Sequence, residues 1–318
     1  MITTLQERLG ELRASVRRAI KGKDDVIELA LVALVARGHL LMEDVPGVGK
    51  TTLAQALARS FHCTFQRIQF TSDMLPSDVI GVSIFHPARG EFEFKPGPIF
   101  ANVVLADEIN RTTPKTQSAL LEVMNEAQVT VDNHTHPVPR PFLVLATQNP
   151  ADHHGTYPLP ESQLDRFIMR LRMGYPARES EKEILRERYG RESVENNIPR
   201  HGQLEAADVL EMQCEAEEVL VDESLLDYAL DIVERTRQSK LLSLGVSPRG
   251  ALMLRRAAQA LAWISGRGYC LPDDFKRLIL PVFAHRVVVS ARHAGTQKNS
   301  TQAEEILAEI AATTAVPL

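Results

Sequence analysis

Residues 38–60 read GHLLMEDVPGVGKTTLAQALARS, and this stretch decides the fold class of the chain. The largely apolar run at residues 39–42 is long enough for one buried strand, and Leu53 and Leu57 lie on one face of a helix predicted after the loop. Strand, glycine-containing loop, Lys-Thr and helix, in this order, form the arrangement of a phosphate-binding loop. The stretch therefore predicts a nucleotide site at the start of a helix.

The residue types of the loop suit phosphate chemistry. Gly47 and Gly49 let backbone N–H groups turn inward around phosphate oxygens, where a Cβ would interfere. The helix N-terminus adds partial positive charge. Lys50 can reach the β- and γ-phosphates, and the Thr51 hydroxyl can ligate Mg²⁺. Nucleotide binding is assigned to the loop residues Val45, Pro46, Gly47, Val48, Gly49, Lys50, Thr51 and Thr52.

Asp44 departs from the usual pattern, which has glycine at the first position of the loop. Aspartate tolerates positive φ better than most residues, so we expect the turn to survive. A carboxylate this near the phosphates is unexpected, because like charges repel. We therefore expect Asp44→Gly to bind ATP equally well or more tightly.

Length and composition predict an ordinary globular protein. At 318 residues the chain can bury a substantial core and is long enough for two domains. It contains 44% hydrophobic and 24% charged residues, as soluble globular proteins do. A net charge of −5 argues against a generally basic surface for nucleic acid, although not against a local one.

The cysteines and the N-terminus indicate a compartment. Cys63, Cys214 and Cys270 form no CxxC pair, which suits a reducing environment and suggests neither a disulfide framework nor a zinc site. Charged residues near the N-terminus argue against a signal peptide. The longest apolar run, residues 29–36, is too short to span a bilayer. We expect a cytoplasmic protein without membrane insertion.

A second half of the site follows at residues 102–108, NVVLADE. A continuous apolar run ending in acid is typical of a buried parallel strand, whose C-terminal end is where ligands bind in an open α/β sheet. Asp107 would orient Mg²⁺, directly or through water, and contribute to nucleotide binding. Glu108 would polarise the attacking water as general base.

Periodicity and turn residues predict the other core elements. Helices are expected at 3–21, 24–37, 71–80 and 114–127, strands at 64–70, 142–147 and 168–173, and inserted hairpins at 82–94 and 129–138. Asn149 follows the strand at 142–147, so its amide is expected at the C-terminal edge of the sheet, where it could hydrogen-bond water or the γ-phosphate. A simple turn residue before Pro150 is the alternative reading of Asn149.

Helices replace strands after Pro176. They are expected at 179–189, 223–237, 248–264 and 272–287, with a polar linker at 190–202 and a loosely held tail at the end. Ser247-Pro248 is a good helix start and puts Arg249 in the first turn, where it could face the nucleotide. The expected organisation is an α/β nucleotide-binding domain at 1–175 and a helical domain at 176–318.

Several segments together resemble the MoxR group of AAA+ ATPases. They are VPGVGKTTLA (45–54), VVLADEINRTTPKTQSALLEVMNEAQVTV (103–131), FLVLATQNP (142–150), YPLPESQLDRFIMRL (157–171) and SPRGA (247–251). The resemblance covers roughly residues 20–290. It implies an αβα P-loop core with a parallel sheet and a C-terminal α-helical lid.

The resemblance also implies roles for individual residues. Lys50 and Thr51 match the Walker A motif, and Asp107 and Glu108 match Walker B. By the same resemblance, the remaining catalytic assignments are Asn149 as sensor 1, Arg166 as the arginine finger and Arg249 as sensor 2. Thr51 and Asp107 would hold the metal, and the cofactors would be ATP and Mg²⁺.

By the same resemblance, both hairpins face the pore of a ring, usually a hexamer. MoxR-type ATPases resemble chaperones that assemble or activate other proteins, often with a von Willebrand A-domain partner. The expected function is therefore Mg²⁺-dependent ATP hydrolysis that remodels a protein client.

Two other function classes stay open. Ring helicases share the inserted hairpins, and magnesium-chelatase-like complexes contain a related ATPase subunit. Helicase hairpins usually present basic residues to phosphates. Here the first hairpin carries Arg89 and Lys95 but also Glu91 and Glu93, so a nucleic-acid partner is not favoured.

Overall fold

The chain was analysed as a computed structural model, which describes residues 5–45, 47–88, 90–148, 156–188, 204–291 and 299–317. The helices are α1 (Leu5–Ala19), α2 (Asp24–Val35), α3 (Lys50–Ser60), α4 (Pro76–Ile80), α5 (Pro114–Glu126), α6 (Glu161–Leu164), α7 (Arg178–Arg188), α8 (Ala206–Glu217), α9 (Glu223–Gln238), α10 (Pro248–Ile264), α11 (Pro272–Phe283) and α12 (Asn299–Thr313). The strands are β1 (Leu40–Glu43), β2 (Phe65–Gln69), β3 (Gly81–His86), β4 (Glu91–Pro96), β5 (Val103–Asp107), β6 (Gln128–Val131), β7 (His134–Pro137), β8 (Leu143–Gln148), β9 (Met169–Leu171), β10 (Leu242–Leu244) and β11 (Val288–Val289).

A five-stranded sheet in the order β2-β5-β8-β1-β9 forms the centre of the α/β part. The pairs β2–β5 and β5–β8 are parallel, and Val103 pairs with Phe65 on one side and with Leu143 on the other. The first four residues of β5 are all buried, as the continuous apolar run predicts for a strand covered on both faces. Because these strands are parallel, Asp107 and Gln148 end at the same edge.

The described residues divide into two compact units. The first comprises those within Met1–Leu29, Leu41–Leu159 and Arg172–Leu210, and the second those within Ala30–Leu40, Pro160–Leu171 and Glu211–Leu318. In the first unit, α3 packs on β5 and α4 packs on α5. In the second, α11 packs against α10 and α12. None of the helices in the described ranges is both long and apolar enough to cross a membrane.

Two insertions interrupt the α/β part, as the sequence predicts. Strands β3 and β4 form an antiparallel hairpin in which Phe85 lies opposite Phe92. Strands β6 and β7 form the second hairpin, with Val129 opposite His136. The Phe94 ring of the first hairpin stacks on the His136 ring of the second, with ring centroids 4.0 Å apart.

The predicted loose tail is wrong. Residues Asn299–Thr313 form helix α12, which packs against α9, α11 and β11 in the second unit. Ala303 and Leu307 are buried there, and Arg235 donates to Thr314 at 2.7 Å. The polar face of α12 masks its helical pattern, and its stability comes from this packing.

Other elements differ from the sequence predictions in extent. Helix α8 and the short pair β10–β11 were not predicted, and the predicted 71–80 helix is reduced to α4. The last predicted helix ends at Phe283 instead of Val287, because His285 and Arg286 turn toward the backbone around Phe167. The predicted linker at 190–202 lies outside the described residues.

Candidate nucleotide site

The loop between β1 and α3 has the backbone that its glycines allow. Gly47 has φ 85° and Gly49 has φ 101°, in the left-handed region that side chains disfavour. Gly49 is the N-cap of α3 and Lys50 is its first residue, so the loop delivers the lysine at a helix N-terminus. Pro46, one of the predicted binding residues, lies outside the described part. The local geometry suits an anion, since N–H groups and the helix dipole point toward the same space.

Lys50 lies in the electrostatic field of three carboxylates. Its ammonium donates to the backbone carbonyl of Asp44 at 3.0 Å. Burial lowers the pKa of Lys50, while the negative charges of Asp107, Asp44 and Glu108 raise it. The loop lysine and the two acids at the end of β5 are thus brought together, although 57 residues separate Lys50 from Asp107 in the chain.

Asp107 is held from both neighbouring strands. Its Oδ1 accepts the hydroxyl of Thr147 on β8 at 2.6 Å. Its Oδ2 accepts the Arg67 guanidinium of β2, from Nη2 at 2.6 Å and from Nε at 3.2 Å. The carboxylate therefore has a fixed orientation at the edge of the sheet.

Glu108 adopts a left-handed backbone, with φ 57° and ψ 47°. Its N–H donates to Thr147 Oγ1 at 2.9 Å, which secures this turn. Its Oε2 accepts from Gln69 Nε2 at 3.0 Å and from Arg111 Nε at 3.0 Å. A non-glycine residue with positive φ is uncommon and is found at functional sites when the surroundings hold it in place.

Sequence reasoning missed Arg67, Gln69 and Thr147. Arg67 and Gln69 are two residues apart on β2, so they share one face of the strand. Gln69 pairs with Asp107 in the parallel register. Their contacts with Asp107 and Glu108 depend on β2 being the neighbour of β5, which is a property of the sheet order. The polar ends of the strands at 64–70 and 142–147 are the signal that could have suggested them.

The structure gives Asp44 a use that its sequence position does not reveal. Its side chain is buried, and its carboxylate accepts the backbone N–H groups of Met173 and Gly174, the latter at 3.1 Å. Asp44 therefore ties the start of the phosphate loop to the segment after Arg172. These contacts give the carboxylate a structural role in addition to its charge near the phosphates.

A cavity of about 330 Å³ lies beside the loop. Its wall contains Gly47, Val48, Gly49 and Thr52 on one side, with apolar and aromatic groups such as Ile20 and Tyr175 elsewhere. Lys23 donates to the Tyr175 carbonyl at 2.8 Å and so fixes part of this wall.

The other predicted site residues are less fully placed. Asn149 lies outside the described residues. Arg166 and Arg249 belong to the second unit. Arg166 follows α6 and is half-buried, and Arg249 is exposed in the first turn of α10.

Thr51 and Asp107 fit a magnesium ion by their chemistry. Mg²⁺ prefers oxygen ligands and is usually held by one or two protein groups together with substrate phosphates. A hydroxyl at the start of α3 and a carboxylate at the end of β5 are donors of that kind. The carboxylate already accepts a cationic group from Arg67, so its position favours positive charge.

Comparison with known proteins agrees with this geometry. The family model for the ATPase family associated with various cellular activities (AAA) matches residues 39–169, and the AAA lid domain matches residues 234–310. Chaperone MoxR1 of Mycobacterium tuberculosis is 43% identical over 284 residues, which cover 86% of this chain and 74% of that protein. This chain belongs to the MoxR family of AAA+ ATPases.

Two further relatives and a solved structure extend the comparison. Protein YeaC of Bacillus subtilis is 48% identical over 98% of this chain and 95% of its own length. Protein MoxR of Methylorubrum extorquens is 29% identical over 90% of this chain and 89% of its own. A crystal structure from Cytophaga hutchinsonii, assigned as an ATPase, has a TM-score of 0.87 at 36% identity and covers 99% of this chain and 96% of that one. The MoxR-family fold, an αβα P-loop core with a helical lid, is therefore confirmed, and the chain is an ATPase.

Proposed function

We propose that this MoxR-family ATPase hydrolyses ATP with Mg²⁺ at the site formed by the 45–52 loop, Asp107 and Glu108. The observation that carries the proposal is the electrostatic coupling of the Lys50 ammonium to both carboxylates. A mobile cation beside two acids, at a helix N-terminus, is the arrangement that phosphoryl transfer requires.

The residues would act on ATP as follows. Lys50 exchanges its bond to the Asp44 carbonyl for the β- and γ-phosphate oxygens, which the loop N–H groups also bind. Thr51 and Asp107 would hold Mg²⁺, which when bound would supply positive charge against the phosphates. The positive φ of Gly47 and Gly49 keeps the loop open toward the phosphates.

Glu108 is proposed as the general base for the attacking water. Its Oε2 accepts from Gln69 and Arg111 in this structure, so one of these bonds is exchanged for water when the base acts. Asn149 orients the same water, and Arg166 and Arg249 stabilise the charge of the transferring phosphate. An arginine finger of this kind is worth roughly 10³–10⁵ in rate.

The cavity beside the loop is proposed to hold the nucleotide base. Its volume of about 330 Å³ and its wall of Ile20, Tyr175 and Ile184 suit a planar, largely apolar ring. Its position next to Gly49 and Thr52 lets one ligand reach both the cavity and the loop.

The two hairpins support a protein client. Phe85 is 49% exposed and Phe92 is 71% exposed, and their rings pair at 5.1 Å. The Glu93 carboxylate on the same hairpin lies 2.7 Å from His86 Nε2. An exposed aromatic pair flanked by acids suits a peptide surface better than a phosphate backbone. A homo-oligomeric ring, a hexamer by family resemblance, would present these hairpins to the client. The same resemblance implies a von Willebrand A-domain protein as the partner.

ATP hydrolysis with and without Mg²⁺ tests the proposal. Lys50→Ala should lose tight ATP binding, because it removes the mobile charge on the phosphates. Glu108→Gln should bind ATP with near wild-type affinity and turn it over far more slowly, because only water activation is lost. Near-normal turnover by Glu108→Gln would show that another group is the base.

The ATPase rate with and without single-stranded DNA at low salt distinguishes a protein remodeller from a nucleic-acid motor. The protein-client proposal expects an ATPase rate that DNA leaves unchanged. Strong stimulation would instead favour a nucleic-acid motor, because phosphate contacts strengthen as salt falls. The Glu108→Gln variant held in ATP also provides a trap for the client.

A further inference from the structure

The guanidinium of the buried Arg286 binds the turn that carries Arg166. The Arg286 guanidinium donates to the carbonyls of Asp165 at 3.3 Å and Ile168 at 3.2 Å, and also to that of Phe167. Its Nε donates to Asp165 Oδ1 at 2.9 Å. Arg286 is only 3% exposed. One planar cation thus fixes the backbone on both sides of Arg166.

The same aspartate reaches the start of helix α10. The Ser247 hydroxyl lies 3.0 Å from each carboxylate oxygen of Asp165. Ser247 is also the N-cap of α10, where its side chain accepts the Gly250 N–H at 3.0 Å. The hydroxyl therefore donates to the turn before Arg166 and accepts from the turn that contains Arg249.

Arg286 also packs directly on that first turn of α10. A Cβ added at Gly250 would lie 2.9 Å from Arg286 Cδ, so glycine at this position leaves room for the arginine. Burial lowers the pKa of Arg286 to about 10, Asp165 opposes this, and the charge of Arg249 adds to the lowering. The positive charge of Arg249 is therefore felt at Arg286.

We propose that Arg286, Asp165 and Ser247 are positioning residues that join the turn carrying Arg166 to the helix start carrying Arg249, so that the two arginines are set together. This inference rests on the proposed roles of Arg166 and Arg249 in ATP hydrolysis. If Arg166 acts on a neighbouring subunit and Arg249 on its own, a shift of one changes the other. ATP binding at one site would then change the position of the Arg166 side chain that acts at the neighbouring site.

If the network positions the two arginines, breaking it should displace them and lower the rate of hydrolysis. Misplacing a catalytic group by about 1 Å can cost about 10²-fold in rate. A purely structural network would change stability alone. Ser247 is the informative position, since its removal breaks the bridge to Asp165 and leaves the buried Arg286–Asp165 ion pair intact.

Three variants form the main experiment. Ser247→Ala removes the bridge and the cap, Ser247→Thr keeps both, and Asp222→Ala removes the side-chain cap of α9 in the same unit. ATP affinity, kcat and melting temperature are measured for each. We expect Ser247→Ala to lower kcat about ten- to a hundredfold with unchanged ATP affinity. Asp222→Ala should lower the melting temperature by about as much as Ser247→Ala does, with an unchanged kcat. Ser247→Thr should keep the wild-type melting temperature and kcat.

A second pair tests the ionic part of the network. Asp165→Asn weakens the contact with Arg286, and Glu304→Gln weakens the 2.6 Å Arg170–Glu304 ion pair in the same unit. At a temperature where both variants are folded, only Asp165→Asn should lose kcat. Equal kcat in these two variants, or wild-type kcat in Ser247→Ala, would overturn the network while Arg166→Ala still slows hydrolysis.

Mixed oligomers test the joint positioning itself. When Arg166→Ala is mixed with Lys50→Ala, a Lys50→Ala neighbour can supply an intact finger to a working site. Ser247→Ala mixed with Lys50→Ala should recover less activity, because its own Arg249 stays displaced. Equal recovery in the two mixtures would overturn joint positioning. Full activity of both Arg166→Ala and Arg249→Ala would overturn the proposed roles and the network with them.

Discussion

The Asp44 side chain links the start of the phosphate loop to another segment. Its buried carboxylate accepts from Met173 and Gly174, and carboxylate hydrogen bonds to N–H groups are worth about 1.5–3 kcal/mol each. Asp44→Gly removes both and frees the loop backbone. We expect ATP affinity, measured by calorimetry, to fall about tenfold or more, at about 1.4 kcal/mol per factor of ten. This is the opposite of the effect predicted from the sequence.

Asp44→Asn is the matched control. Its side-chain oxygen can accept one N–H group, while its amide nitrogen cannot accept the other. We therefore expect an affinity between those of the wild type and Asp44→Gly. Equal or tighter ATP binding by Asp44→Gly would mean that the repulsion between Asp44 and the phosphates outweighs the two hydrogen bonds.

The three cysteines should differ in reactivity. Burial, with smaller contributions from nearby acids, raises the pKa of Cys63 to about 11 and that of Cys270 to about 12, whereas Cys214 is exposed. Thiolate is the reactive form, so a thiol reagent at pH 8 should modify Cys214 first, and Cys214→Ser should remove the fast phase. Fast modification in Cys214→Ser would show that a buried thiol is accessible.

The same shifts predict how stability depends on pH. The folded-state pKa values lie above the ordinary value of 9.0, so the folded chain retains these protons while the unfolded chain loses them. The contribution to the free energy of unfolding is complete below about pH 9 and is lost as the pH rises through 11. Denaturant midpoints at pH 8 and pH 10.5, for the wild type and for Cys63→Ala, would measure it.

At the scale of elements, the β3–β4 hairpin separates an exposed aromatic pair from a packed ring. Phe85 and Phe92 are exposed, whereas Phe94 stacks on His136 and lies 5.6 Å from the Phe100 ring. A Phe85→Ser/Phe92→Ser double variant, or replacement of residues 85–93 by a short turn, which keeps Phe94, should retain basal ATPase within about twofold. When either hairpin change is combined with Glu108→Gln, the protein should retain less client in the presence of ATP than Glu108→Gln alone.

Phe94→Ser is the control for this element. It should lower the melting temperature, because the half-buried Phe94 ring loses its contacts with His136 and Phe100. If the double variant lost ATPase together with its oligomer, the exposed pair would be part of the assembly rather than a client surface.

At the scale of the whole molecule, the prediction concerns a finger that acts across subunits. Arg166→Ala should bind ATP normally and hydrolyse it very slowly, whereas Lys50→Ala has an intact finger and an empty site. Mixing the two inactive proteins should partly restore activity if they share a ring. If subunits demonstrably exchange and activity stays at background, the finger does not act in trans.

Arg170 is a poor substitute for that finger. It is 8% exposed and forms a 2.6 Å ion pair with Glu304 of α12. Releasing it would break an ion pair whose arginine is buried, which leaves the guanidinium without this partner. The packing of α12 thus disfavours Arg170 as the finger.

Local sequence patterns are sufficient to predict most of the individual elements. The loop glycines, the apolar strand that ends at Asp107 and the two hairpins can be predicted because backbone preference and hydrophobic periodicity act over a few residues. The αβα core with a helical lid follows from these patterns together with the family resemblance, and the structure confirms it. Helix α12 escaped prediction because its stability comes from packing.

The side-chain contacts between residues distant in sequence depend on the tertiary structure. Arg67 and Gln69 reach Asp107 and Glu108 because β2 pairs with β5, and Asp44 accepts from Met173 and Gly174, far along the chain. Arg286 reaches the turn around Arg166 across more than a hundred residues of sequence. These contacts depend on strand order and on the packing of segments distant in sequence, which local preference and periodicity do not encode.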